Sequence, residues 1–313
     1  MLSSLAVVLE EPKRLTLATL PLDVPAPGDV VVETIWSGVS AGTERLLFTG
    51  RMPDFPGMGY PLVPGYESVG CVVEAGPEAH IAVGAQVFVP GARCFGPVRG
   101  LHGGAASRLV APGARVVPVS VELGEKAILL ALAATALHAL SGSDTKKGAL
   151  IVGHGALGRL MARLAALAGG ETPVVWEKNP ARAGGAAGYV VTTPEDDPRK
   201  SYPVIVDVSG DAGALDSLVQ RLAPGGEIVL AGFYDRVSFA FPPAFMREAR
   251  FRIAAQWREG DLVEVARLVE AGGLSLDGLI THRVPASAAP EAYPVAFDDP
   301  ACLKMVLDWR AQS

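Results

Sequence analysis

The sequence predicts an α/β fold in which a doubly wound parallel sheet is inserted into a β-rich domain. Three observations predict it. Short apolar runs separated by Pro/Gly clusters occupy the first part of the chain, to about residue 120. Strand-like runs then alternate with helical stretches to about residue 272, the pattern of right-handed βαβ units. Beyond a helical stretch over 261–270, the tail returns to short strands and ends in CLKMVLDW. A length of 313 residues admits two domains, each large enough to bury a core. The predicted division is 1–119 with 273–313 for the β-rich domain, and 120–272 for the parallel one.

In the first region the strand-like runs are Leu5 to Leu9, Val30 to Ile35, Ser68 to Val73, Gln86 to Val89 and Ser107 to Val110. The Pro/Gly-rich stretch from Gly50 to Gly65 is too long for a hairpin turn, and loops of that length are often functional. In the second region Glu122 to Leu140 is Ala/Leu-rich and helical in composition. Strand-like runs follow at 149–152, 173–176, 189–192, 204–208, 227–231 and 251–255. A helix with Leu157, Leu160, Met161, Leu164 and Leu167 on one face follows the first of them, and 212–222 reads as another helix, stopped by APGG.

Half of the residues are hydrophobic (50%) and the mean hydropathy is +0.32, so a membrane span has to be considered. The most apolar stretch, Ala127 to Leu140, has only 14 residues and contains Thr135 and His138, short of the roughly 20 a span needs. The start lacks a basic region and meets Glu10 and Glu11 early, unlike a signal peptide. No transmembrane segment and a cytoplasmic protein are expected. A net charge of −6 argues against nucleic acid as a partner. Cys71, Cys94 and Cys302 are too scattered for a disulfide framework or a zinc knuckle.

Gly153-His154-Gly155-Ala156-Leu157-Gly158 fits G-x-G-x-x-G. The motif follows the strand ALIV and opens a helix, and the next strand, VVW, ends in Glu177, 19 residues beyond Gly158. Gly153 permits the tight turn, Gly155 lets a pyrophosphate approach the helix N-terminus, and Gly158 lets the helix pack on the sheet. Glu177 is placed to accept hydrogen bonds from the adenosine ribose. An acid there favours NAD, since a 2′-phosphate would be repelled; Lys178 and Arg182 just beyond it are the residues that would suit NADP. Later strands end in Asp207-Val208-Ser209-Gly210 and Leu230-Ala231-Gly232-Phe233, and ligands of open parallel sheets lie at carboxyl ends. Ser209, Gly210, Ala231, Gly232 and Phe233 are therefore candidates for ribose and nicotinamide contacts. An ordinary Gly-rich turn is the plainer reading of each.

The chain resembles the medium-chain alcohol dehydrogenase superfamily, in which a Rossmann domain is inserted in a GroES-like catalytic domain. The residues that carry this are PAPGDVVVE (25–33), SGVSAGTE (37–44), PGYESVG (64–70), GGAASRLV (103–110), AATAL (133–137), the GHGALG turn and LAPGGEIVLAGF (222–233). The resemblance implies a nicotinamide contact from Thr135 and a homodimer formed through the last sheet strand, residues 250–256. The zinc enzymes of the superfamily take metal ligands at three places that here read Ser40, Tyr66 and Ala131. Zinc wants thiolate, imidazole or carboxylate, so no metal is expected. A narrower resemblance is to the dehydrogenases of bacteriochlorophyll biosynthesis, which oxidise a 3-(1-hydroxyethyl) group of the macrocycle to acetyl. It is carried by LFTGRMPDFPGMGYPLVPGYES (47–68), FVPGARCFG (88–96), LIVGHGALGRLMARL (150–164), FPPAFMREARFRIAAQW (241–257), GLITH (278–282) and DPACLKMVLDW (299–309). It implies a chlorophyllide-type substrate, handled near a membrane surface.

Oxidising a secondary alcohol without a metal needs a positioned base or proton relay. Ser40, Thr43, Glu44, Tyr66 and Glu67 surround the place the metal would take. The expected arrangement has the Tyr66 hydroxyl on the substrate oxygen, with Glu44 or Glu67 accepting the proton; the plainer reading has Tyr66 and Glu67 as packing and loop anchors. His154 is expected at the cofactor rather than the substrate. His102, in a Gly-rich loop, is within possible reach of the site, while His80, His138 and His282 form no constellation. A wide apolar macrocycle calls for apolar walls, for which Phe55, Met58, Tyr60 and Phe95 are candidates, with ordinary packing as the alternative for each. Two other functions fit the same residues. A zinc-independent quinone or enoyl reductase would prefer NADPH, and a non-catalytic dinucleotide-binding protein would bind the cofactor without turnover. GYESVG does not fit the serine nucleophile elbow.

Overall fold

The β-rich part of the chain folds into a two-stranded hairpin and a seven-stranded sheet. The computed structural model describes residues 2–312 apart from Glu259; Met1, Glu259 and Ser313 lie outside the described residues. The chain divides into two compact units, Met1–Ala131 with Asp277–Ser313, and Leu132–Leu276. Residues 120–131 and 273–276 thus fall on the other side of the division expected from sequence. The 3-10 helix Val121–Leu129 packs on the strand Asp29–Val39, which keeps it with the first unit.

In the first unit Asp29–Val39 is the central strand. It pairs antiparallel with Ser68–Ala75, Arg108–Pro112 and the C-terminal strand Met305–Asp308, the last with Met305 opposite Val39. Gln86–Val89 and Val117–Pro118 extend the sheet on one side, and His282–Pro285 closes it on the other. The return of the C-terminus is thus a sheet partner of the N-terminal region, and it brings Lys304 beside Val39. A separate hairpin pairs Ser3–Glu11 with Arg14–Pro21.

Several elements differ from the sequence reading. Arg14–Pro21 is a strand where none was expected. Thr43–Thr49 is a helix of 7 residues, too short to show a period. In the tail, where short strands were expected, Ala289–Asp298 is a helix; Pro290 sits in its first turn, where the missing N–H costs nothing, and Pro294 inside it breaks the helical signature.

The second unit is built on a six-stranded, wholly parallel sheet in the order Val190–Thr192, Val174–Trp176, Ala149–Val152, Tyr202–Asp207, Leu222–Leu230, Arg250–Ile253. This is the sheet that the alternation predicts. Chain order runs outward in one direction from Ala149–Val152 and in the other from Tyr202–Asp207. The switch point therefore lies between these two strands, and a ligand crevice is expected at their carboxyl ends. Ala156–Leu167 covers one face, burying Leu160, Met161 and Leu164. Between Val174–Trp176 and Val190–Thr192 the chain makes only the short 3-10 turn Pro180–Arg182.

The helical run Val121–Leu140 is 20 residues long with mean hydropathy 1.5, long and apolar enough by those measures to cross a membrane. Gly124 breaks its helical geometry, at φ 52° and ψ −136°. Ala127 to Ala131 are fully buried inside the protein. Its apolarity is that of a core helix.

Candidate active site

The glycine turn lies at the switch point. Gly153 has φ 106°, and a Cβ there would press on Ser209 at 3.4 Å, so the turn and the end of Tyr202–Asp207 lie against each other. A methyl on Gly158 would collide with the Gly153 carbonyl. A Cβ on Gly155 would meet nothing within 4 Å, so space stands open over this part of the turn. Gly155 also caps Ala156–Leu167 without any side-chain hydrogen bond, which leaves its first N–H groups available to an anion. The residues present fit a dinucleotide pyrophosphate.

Glu177 stands at the end of the neighbouring strand. One carboxylate oxygen accepts from the His154 N–H at 3.0 Å and the other from the Asn179 N–H at 2.7 Å. Glu177 thus ties the glycine turn to its own strand end, and a carboxylate retains acceptor capacity beyond two such bonds. Lys178 is exposed beside it. The His154 side chain points inward: it is fully buried, 2.6 Å from the Arg182 carbonyl through Nδ1 and 2.8 Å from the Tyr189 hydroxyl through Nε2. Only its backbone faces the turn. Arg159, also buried, donates to the His154 and Arg182 carbonyls and locks the same corner.

Across the switch point Asp207 accepts from the Ser209 N–H and hydroxyl, and its carbonyl accepts from the Ala231 and Gly232 N–H groups. Ser209, Gly210, Ala231 and Gly232 are thereby gathered at adjacent carboxyl ends. Phe233 follows, 47% exposed. Thr135 is half-buried on Leu130–Leu140.

In the first unit Ser40, Thr43 and Tyr66 form a hydroxyl cluster. The Tyr66 and Ser40 hydroxyls are 2.6 Å apart, and Thr43 lies 3.4 Å from the Tyr66 oxygen. Burial, with the nearby Glu67 charge, pushes the Tyr66 phenol well above its ordinary range. Glu44 lies behind the cluster, accepting from the Ser40 N–H at 2.9 Å and from the Tyr293 hydroxyl at 2.7 Å. Burial raises its carboxyl to about 7.

Glu67, fully buried, is paired with Lys304, itself 3% exposed, whose ammonium lies 2.9 and 2.8 Å from the two carboxylate oxygens and 3.2 Å from the Val39 carbonyl. Gly38 is required here, because a side chain at 38 would strike the Glu67 carboxylate. Burial raises the Glu67 carboxyl and Lys304 opposes that rise. Lys304 and Tyr293 were not singled out from the sequence. A lone lysine inside the apolar run CLKMVL was the available signal for the first; nothing marked the second.

The raised Glu44 carboxyl has a consequence for stability. The folded state keeps the proton up to about pH 7, whereas an unfolded glutamate loses it near 4.5. Glu44 therefore destabilises progressively as pH rises from about 4.5 through 7, and its full cost, about 3 kcal/mol, is present above that. Glu44→Gln should melt higher than wild type at pH 8 and show little difference at pH 5, read by thermal unfolding at both values. An equal difference at the two pH values would contradict the assignment.

Of the proposed substrate walls, Phe55 is 40% exposed in the long loop. Met58 and Tyr60 pack against the first unit's second core cluster, and the Tyr60 hydroxyl donates to the Leu47 carbonyl at 2.6 Å. Phe95 is 2% exposed within a core cluster, where its side chain is occupied by packing.

The three positions that the resemblance gives to metal ligands, Ser40, Tyr66 and Ala131, carry a hydroxyl, a phenol and a methyl, which do not fit zinc. Among the described residues no group of three His, Cys, Asp or Glu side chains is arranged to hold a metal ion.

Residues 26–121 match the alcohol dehydrogenase GroES-like domain. The chain is 57% identical over 306 residues to the 2-desacetyl-2-hydroxyethyl bacteriochlorophyllide A dehydrogenase of Rhodobacter capsulatus, covering 97% of this chain and 98% of that one. It is 58% identical over 312 residues to the enzyme of the same name from Cereibacter sphaeroides, covering 98% of each. Among solved structures, a short chain alcohol dehydrogenase from E. coli CFT073, complexed with NADH, superposes with a TM-score of 0.84 at 19% identity, covering 98% of this chain and 99% of that one.

Proposed function

We propose a reaction on one premise: the chain belongs to the family of the 2-desacetyl-2-hydroxyethyl bacteriochlorophyllide A dehydrogenases, within the medium-chain alcohol dehydrogenases. It oxidises the 3-(1-hydroxyethyl) group of a bacteriochlorophyllide to 3-acetyl, a step of bacteriochlorophyll biosynthesis. The observation that carries this is the identity of 57–58% to two such enzymes over nearly the whole of each chain.

A nicotinamide dinucleotide, when bound, accepts the hydride. The glycine turn from Gly153 to Gly158 and the open N-terminus of Ala156–Leu167 hold its pyrophosphate, and Thr135, Ser209, Gly210, Ala231, Gly232 and Phe233 are assigned to its ribose and nicotinamide end. NAD is the preferred form, a reading supported by Glu177, whose carboxylate would repel a 2′-phosphate. The alcohol is assigned to the hydroxyl cluster of the first unit. Tyr66 donates a hydrogen bond to the substrate oxygen, and Ser40 and Thr43 fix the phenol. Glu44 and Glu67 sit behind them: Glu44 anchors the Ser40 backbone, and Glu67, held by Lys304, supports the loop that carries Tyr66. The exposed Phe55 with Met58 and Tyr60 offer apolar surface to the macrocycle.

The test is an anaerobic assay with NAD and 3-hydroxyethyl bacteriochlorophyllide a, following NADH formation and the absorption shift of the macrocycle together. Both should appear in equal amounts, and NADP should require at least tenfold higher concentration for the same rate. NAD binding without any change in the macrocycle would contradict the reaction, and equal use of NADP would contradict the role given to Glu177.

A further inference from the structure

His102 is the imidazole left over when the groups around Tyr66 are accounted for. It lies in a loop closed by glycines: side chains at Gly91 or Gly103 would run into the His102 and Ala92 carbonyls. The Ala92 N–H donates to the His102 carbonyl at 2.6 Å, and the Gly103 N–H to the Val63 carbonyl at 3.0 Å. His102 itself holds φ 71°, a left-handed conformation that is sparsely populated outside glycine and maintained here by that backbone closure. Its ring packs edge-on against Tyr66, with centroids 5.0 Å apart at 64°.

The other candidates for receiving a proton are engaged or sealed. Glu67 gives both oxygens to Lys304. Glu44 is 1% exposed and gives its oxygens to the Ser40 N–H and the Tyr293 hydroxyl. Ser40 and Tyr66 are hydroxyls that can pass a proton but not keep one. His102 differs in both respects. Its side chain is partly exposed, and among the described residues its ring nitrogens have no hydrogen-bond partner. Burial and the Arg93 and Arg115 charges pull the imidazole down to about 4, so at neutral pH it is unprotonated and has a nitrogen lone pair open.

We propose that His102 is a catalytic residue: it accepts the O–H proton of the alcohol whose oxygen Tyr66 holds, and releases it to water. This rests on the functional reading above. The carbinol C–H bond breaks with its electron pair leaving as hydride to the oxidised nicotinamide dinucleotide, which is the oxidant. The O–H bond breaks with its proton passing to the imidazole, the C=O bond forms, and the imidazolium yields the proton to solvent. The balance is one alcohol and one oxidised dinucleotide to one ketone, one reduced dinucleotide and one proton.

Two variants suit the left-handed backbone. His102→Gly relieves φ 71° and opens a hole for added imidazole, and His102→Asn keeps a polar side chain that tolerates this conformation but is no base. Both should lose about 10²–10³-fold in kcat/KM at neutral pH, with NADH affinity unchanged. Added imidazole should restore part of the His102→Gly rate and none of the His102→Asn rate. Near-wild-type rates in either variant, or a loss that imidazole does not restore in His102→Gly, overturn the proposal. Wild-type protein that leaves the hydroxyethyl macrocycle unchanged overturns the functional reading and this inference together, and is seen before any variant is made.

Discussion

Lys304→Met is expected to destabilise the protein by about 3–5 kcal/mol, a large share of the margin by which a folded domain is stable. The ammonium is 3% exposed and pairs with both oxygens of a fully buried carboxylate. Methionine fills a similar volume but leaves Glu67 without a counter-charge, so folding must either bury a bare carboxylate or protonate it. The pair itself need not add net stability, because desolvating both ions offsets most of their attraction. The prediction is therefore asymmetric. Lys304→Met should lower the thermal midpoint by about 10 °C, and adding Glu67→Gln to it should recover most of the loss. Equal destabilisation by the single and double variants would show that packing, rather than the unpaired charge, is at stake.

Tyr66→Phe is expected to lower kcat by about 10²–10³-fold with little change in melting temperature or NADH affinity. The ring stays, and with it the edge contact to His102. What is lost is the hydroxyl at 2.6 Å from Ser40, which the proposed mechanism places on the substrate oxygen. A hydrogen bond that strengthens as the oxygen's charge changes along the reaction affects kcat more than KM. Ser40→Ala, which removes one partner of the phenol but leaves it in place, should cost far less. If Tyr66→Phe raises KM alone, Tyr66 is a binding group and the catalytic assignment fails. Steady-state kinetics on the hydroxyethyl substrate separate the two.

Much of the fold was legible because periodicity and punctuation agreed. The run ALIV, the glycine turn and the apolar stripe from Leu157 to Leu167 identified strand, turn and helix in succession, and the parallel sheet follows from repeating that unit. Elements escaped where the local signal was short or contradicted: TERLLFT is too brief to display a period, and two prolines mask the helix Ala289–Asp298. The polar cluster was legible in part. Ser40, Thr43, Glu44, Tyr66 and Glu67 lie within two segments of sequence, and the sheet pairs those segments directly, Ser37 opposite Ser68. Lys304 and Tyr293 reach the same cluster from the far end of the chain, a distance no spacing rule spans. His154 shows the opposite limit. Its place in the motif suggested a cofactor contact, but a side chain inside a turn can face either way, and here the Arg182 carbonyl and Tyr189 hydroxyl draw it inward.

In the proposed chemistry this dehydrogenase handles the alcohol proton with hydroxyl and imidazole groups where the zinc enzymes of the superfamily use the metal. The most direct measurement is the rate of NADH formation from 3-hydroxyethyl bacteriochlorophyllide a by protein dialysed exhaustively against a chelator, with zinc content determined on the same sample. The rate should equal that of untreated protein with far less than one zinc per chain. A rate that falls with the metal and returns on adding zinc would contradict the account.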